Sequence, residues 1–177
     1  CAMLERLSSE YGYRYFVVDK ERDEEGKIIS STYIREMLAD GNIIKANKLL
    51  GYYYFVTGTV QHGNAIGHTK LYPTANLIPP AVKPLPKFGV YVTRVTVGGE
   101  TDGGLTNVGA KPTISGENPV GVETYLYNFE GDLYGKDMKV ELLDFVRPEI
   151  KFESIDALKA QLDHDIKECQ RRYLEFA

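Results

Sequence analysis

Hydrophobic and polar positions change rhythm along this 177-residue chain. Up to about residue 50 the pattern is mixed, from residue 52 it alternates with a period of two, and near the end it steps by three and four. In the last stretch Ile155, Leu158, Leu162, Ile166, Cys169 and Tyr173 mark one apolar stripe. That spacing predicts a helix laid on a β core, with Ser154 as its N-cap. His164 and Asp165 fall outside the stripe and read as surface residues.

Before the helix, strands are predicted over 52–61, 74–78, 90–97, 105–109, 120–129 and 138–146. Gly98-Gly99 and Glu130-Gly131-Asp132 supply turns, and four prolines make 79–87 an irregular connection. Short strands joined by glycine-rich turns point to a sandwich or a closed barrel. The first fifty residues read as helix, strand, helix, helix. An apolar strand is expected over 14–18 and a charged, exposed loop over 19–27. Ser31 or Thr32 caps a helix stopped at Gly41, and Asn42 starts another ended by Gly51. This segment is too small to bury a core alone, so a domain boundary is set between residues 50 and 51.

Composition removes several classes of function. A formal net charge of -4 lacks the basic face that nucleic-acid binding needs. No apolar run approaches the roughly 20 residues of a membrane span, and no secretory pattern opens the chain. Cys1 and Cys169 lie at opposite ends without metal spacing, and so read as free thiols of a reducing cytoplasm. The start at Cys1 rather than Met reads as that of a fragment.

Candidate chemistry centres on Tyr72-Pro73-Thr74-Ala75-Asn76 and Val122-Glu123-Thr124-Tyr125-Leu126. On a strand, Thr74 and Asn76 project from one face, so a hydroxyl and a carboxamide can meet one ion. Such neutral oxygens suit a magnesium ion that keeps waters and bridges phosphates, although Pro and Asn also suit a plain turn. Glu123 shares a strand face with Tyr125, Tyr127 and Phe129. It is either a solvated strand-end residue or, in a cleft, the base for a substrate hydroxyl. Gly63 and Gly67 let the loop over 62–70 turn amides towards phosphate, and His68 and Lys70 add charge. Asn107-Val108-Gly109 reads either as a purposeful constellation or as a strand with a bulge. Arg147-Pro148 ends the last strand and can set a guanidinium over an anion.

In order, Pro73-Thr74-Ala75-Asn76, Phe88-Gly89-Val90-Tyr91, Asn107-Val108-Gly109, Val122-Glu123-Thr124, Leu133-Tyr134-Gly135 and Arg147-Pro148-Glu149 resemble the riboflavin kinase (flavokinase) family. The resemblance runs from about Tyr52 to Tyr173. It implies a mainly β fold, a six-stranded antiparallel Greek-key barrel with a C-terminal α-helix. It implies transfer of the ATP γ-phosphoryl group to the 5′-hydroxyl of riboflavin, giving FMN and ADP. By the same resemblance Thr74 and Asn76 bind Mg2+, Thr74 also lies near the nucleotide phosphates, and Glu123 is the base. His62 and His68 of the glycine loop, with Leu126, Asn128 and Tyr134, surround ATP. Arg147, Ile150 and Phe152 border the flavin as a movable flap. Two positions depart from the family pattern: Leu71 stands where glycine is usual, and His68 where arginine or lysine is common.

Ile29-Ser30-Ser31-Thr32-Tyr33-Ile34-Arg35 resembles the end of the adenylyltransferase module of bacterial bifunctional FAD synthetases. Residues 1–50 are then a short α/β remnant of a nucleotidyltransferase, and 51–177 a riboflavin kinase domain. The full-length protein would also adenylylate FMN to FAD, which this chain alone would not do. The kinase domain is expected to be a cytoplasmic monomer. The competing expectation is a non-catalytic barrel that binds flavin or nucleotide.

Overall fold

The computed structural model describes residues 2–61, 72–110, 120–129 and 131–176. They form two units, Cys1–Ser31 and Thr32–Ala177. In the first unit, helix α1 (Ala2–Tyr11) buries none of its side chains. A turn follows in which Asp23 Oδ1 accepts from the N–H groups of Glu25 and Lys27, and Arg22 bridges Ile28. The strand expected over 14–18 does not form: these residues belong to no helix or strand, and Phe16, Val17 and Val18 are exposed. An apolar, β-favouring run makes a strand only beside a neighbouring strand that completes its ladder. Among the described residues none pairs with this run.

In the second unit, helix α2 (Ser31–Asp40) ends at Gly41 and helix α3 (Ile43–Leu50) follows at once. Asn42 caps α3 by accepting from Lys45 N–H, and Gly51 closes it in the left-handed conformation, as predicted. Leu38, Ile43 and Ala46 bury in the same core as the β residues Val56, Leu77 and Val140. Buried Asn47 fastens this contact. Its amide donates to Leu142 O at 2.8 Å and its carbonyl accepts from Tyr54 N–H at 2.7 Å.

Six strands follow: β1 (Phe55–Thr59), β2 (Ala75–Leu77), β3 (Gly89–Val97), β4 (Glu100–Ala110), β5 (Val120–Leu126) and β6 (Asp137–Pro148). They lie in the order β1-β6-β3-β4-β5-β2, every pair antiparallel. Gln61 N–H donates to Asn76 O at 2.9 Å just beyond β1, so the sheet is a nearly closed barrel. Closure removes the unpaired edges of an open sheet.

Alternation along the strands then feeds two cores. Leu77, Tyr91, Val95, Val122 and Leu142 fill the interior. Val90, Val92, Leu105 and Leu143 point outward and meet Cys169 of helix α4 (Ile155–Tyr173). Because α4 covers this wall, the first five residues of β3 are buried on both faces, and Val90-Tyr91-Val92 reads as a continuous apolar run. Burying each such aliphatic side chain is worth roughly 1.5–3 kcal/mol.

Ser154 caps α4 by accepting from Ala157 N–H. Two expectations for this helix need correction. Ile155 is 60% exposed, so the packed stripe begins at Leu158. Asp165 is 1% exposed rather than on the surface, because Arg147 and Gln161 supply its hydrogen bonds. Among the described residues, no helix is long and apolar enough to cross a membrane.

Candidate active site

Register brings the polar candidates together. Glu123 on β5 lies directly opposite Asn76 on β2 and opposite Asn107 on β4, so all three share one sheet face. Thr74, two residues before Asn76, completes the row. Its Oγ1 donates to Glu123 Oε1 at 2.6 Å. A hydroxyl has one proton to donate and two lone pairs, so this bond leaves Thr74 able to face a cation. Asn76 is buried and its amide lies 3.5 Å from Thr74 O. Among the described residues no cluster of three His, Cys, Asp or Glu side chains could hold a metal. Any ion here would rest on neutral oxygens and on its own waters or a substrate's phosphates, a donor set that fits magnesium.

This face is the outer wall of the barrel, and a cleft of about 360 Å³ separates it from α4. Val90 and Leu105 form one apolar wall, and Leu158, Leu162 and Ile166 of α4 form the other. Thr74, Asn107 and Glu123 supply the polar floor, while Arg147, Glu149, Ile150 and Phe152 enter from the end of β6. Such a largely apolar cleft with a few convergent polar groups suits an organic ligand. A second cleft of about 380 Å³ is bounded by Val60, Pro73, Ala75, Leu126, Phe129, Leu133 and Tyr134. Thr74 lines both clefts.

Two glycines make the first cleft possible. Gly89 has φ +151, and a Cβ there would lie 2.2 Å from Arg147 O, so only glycine lets the end of β6 close against β3. A Cβ on Gly109 would lie 1.9 Å from Glu149 Oε1, so that carboxylate occupies the space a side chain would need. Val90 pairs with Arg147 and Tyr91 with Phe145, which leaves Val146 as an extra residue in a bulge. Bulges at barrel rims re-aim the side chains beside them, here that of Arg147.

The other candidates divide cleanly. Leu126 and Tyr134 line the second cleft; Arg147, Ile150 and Phe152 line the first. Asn128 is exposed past the end of β5 and is not among the residues lining either cleft. His62, Gly63, Gly67 and His68 lie outside the described residues. The structure adds Tyr72, Asn107, Tyr125 and Glu149 to the first cleft. Tyr72 donates its hydroxyl to Asp163, which pushes its pKa up, and its ring centroid lies 5.2 Å from that of Tyr125. Each of these four belongs to a segment already singled out in the sequence. Their convergence depends on strand register, which the segments do not state.

Residues 50–173 match the family model described as "Flavokinase: Riboflavin kinase". A bifunctional riboflavin kinase/FMN adenylyltransferase of Listeria monocytogenes is 38% identical over 149 residues, covering 84% of this chain and 47% of that protein. A crystal structure described as a macrolide-efflux protein from Streptococcus pneumoniae superposes with TM-score 0.79 at 38% identity, over 94% of this chain and 54% of that one. A riboflavin kinase structure from Trypanosoma brucei shares the fold, with TM-score 0.50 at 23% identity, over 67% of this chain and 75% of that one. The chain spans about half the length of the curated relatives it matches.

Proposed function

Because the chain belongs to the riboflavin kinase (flavokinase) family, we propose that it transfers the γ-phosphoryl group of ATP to the 5′-hydroxyl of riboflavin. One observation carries this reading: Thr74 lines both clefts while its hydroxyl donates to Glu123. The first cleft takes the flavin, its rings between the β wall and α4 and bordered by Arg147, Ile150 and Phe152. The second takes the nucleotide against Leu126 and Tyr134, and by the family resemblance Asn128, His62, Gly63, Gly67 and His68 would also contact it. The donor and acceptor thus meet at Thr74.

Glu123 accepts the proton of the 5′-hydroxyl as that oxygen bonds to phosphorus. The bond from phosphorus to the departing ADP oxygen breaks, and FMN and ADP result. Phosphoryl transfer asks the protein mainly for alignment and charge neutralisation, which this arrangement supplies. Mg2+ held at Thr74 and Asn76 would neutralise phosphate charge when bound. We assign residues 1–50 to the tail of an adenylyltransferase module whose remainder would convert FMN to FAD in a longer protein. The kinase domain acts as a cytoplasmic monomer.

Incubating the purified chain with riboflavin and Mg-ATP tests this directly. FMN and ADP should appear in equal amounts by chromatography, and FMN plus ATP should yield no FAD. Failure to form FMN would refute the kinase assignment.

A further inference from the structure

Asp165 stands out as a carboxylate that the chemistry above does not use. It is 1% exposed and sits on α4 between the cleft-lining residues Leu162 and Ile166. A charge buried that deeply persists only when it is paired and hydrogen-bonded. Its Oδ2 accepts from Arg147 Nε at 2.9 Å and Nη2 at 2.6 Å, and its Oδ1 accepts from Gln161 Nε2 at 2.8 Å.

These bonds fix a side chain that lines the first cleft. Arg147 Nη1 also donates to Pro148 O at 2.9 Å, and the guanidinium lies 6.0 Å from the centre of the Phe152 ring. A guanidinium has five N–H groups, and these three bonds leave two. Asp165 therefore settles two properties of the cleft. It holds the remaining donors in one orientation, and it cancels the one positive charge among the described side chains lining the cleft. Glu123 and Glu149 then leave the described lining of the cleft with a negative balance.

We propose that Asp165 is a positioning residue that, through Arg147, makes the acceptor cleft favour an uncharged flavin over its phosphorylated product. The proposal rests on the kinase reading of the same cleft. A neutral acceptor gains the fixed N–H donors without meeting net repulsion. An anionic product meets the uncancelled carboxylates, which favours its departure after transfer. Charges sharing a partly dry cleft act on one another strongly enough to shift binding by an order of magnitude.

The test compares the wild-type chain with Asp165→Asn, measuring affinity for riboflavin and for FMN by quenching of flavin fluorescence, and KM for both substrates. Asp165→Asn frees the charge of Arg147 and loosens its orientation. Riboflavin affinity should fall about tenfold, the ratio of FMN to riboflavin affinity should rise about fivefold or more, and KM for ATP should change less than twofold. Arg147→Met/Asp165→Leu replaces the pair by apolar groups, which keeps packing without either charge. It should lose riboflavin affinity without gaining affinity for FMN.

If Asp165→Asn does not fold, Gln161→Leu, which removes only the second anchor, should shift both affinities in the same direction by a smaller factor. A folded Asp165→Asn with an unchanged FMN-to-riboflavin ratio would overturn the proposal while leaving the kinase reading intact. Normal riboflavin affinity in the double variant would also overturn it, by showing that the pair serves packing alone. A wild-type chain that binds no riboflavin would sink both readings.

Discussion

Two polar rows cross the same part of the barrel and face opposite ways. Inward, Thr93, Thr106 and Thr124 join three strands through hydroxyl contacts of 2.9 Å, all fully buried. Outward and one residue away on two of those strands, Asn107 and Glu123 line up with Asn76 and Thr74. The inner hydroxyls satisfy one another and leave nothing for a ligand. The outer row holds a carboxylate with a hydroxyl partner at the meeting point of two clefts. Polarity thus joins strands on the inner face and lines clefts on the outer one, and access to a cleft separates the two.

The outer row is the place to break this contrast most completely. Thr74→Ala together with Asn76→Ala should abolish magnesium-dependent ATP binding in titration calorimetry, with the fold retained by circular dichroism. Full-strength binding by that variant would remove both oxygens from the metal assignment. Glu123→Gln should slow FMN formation by about 10²-fold or more while riboflavin affinity changes little. A rate near wild type would make Glu123 a cleft-lining residue and nothing further.

The inner row should answer in stability instead. Thr106→Val removes the middle hydroxyl and strands its two buried neighbours, at a cost of about 1–3 kcal/mol in denaturant unfolding. The riboflavin affinity of the folded fraction should stay close to wild type. A large loss of affinity without loss of stability would show that the two faces are coupled.

Helix α4 repeats the contrast on a smaller scale, with Asp165 turned inward and Glu168 outward. Hydrogen bonds from Arg171, and then from Arg172, hold Glu168 down at about 2, against its ordinary 4.5. A lowered carboxylate stabilises the fold above the ordinary value and loses that effect as pH falls towards the lowered one. Glu168→Gln should therefore lower Tm slightly at pH 7, and the gap should close between about pH 4.5 and 2. A constant gap across that range would assign the effect to packing.

Much of this was legible in the chain itself, for reasons tied to particular residues. The two-residue rhythm identified all six strands, and the caps Asn42, Gly51 and Ser154 marked helix ends, because these signals act over a few residues. Thr74, Asn76 and Glu123 were singled out by their place in segments that resemble a known family, since a turn or a solvated strand end would have explained them equally well. The run 14–18 misled because its apolar, β-favouring residues found no partner strand among the described residues. Asp165 misled because a carboxylate on a long helix ordinarily faces water, and its partner lies 18 residues earlier, beside a bulge.

What the sequence by itself determined, then, is the kind of elements this protein builds and which residue types carry its chemistry. Those properties follow from backbone geometry and side-chain character over short distances. Tertiary structure alone decided that Asn107, Glu123 and Asn76 stand in one row, that Thr74 joins two clefts, and that Arg147 is held by Asp165. Register and closure set those neighbours, and both are properties of the whole barrel, since slipping one strand by a single residue would turn every side chain on it to the other face.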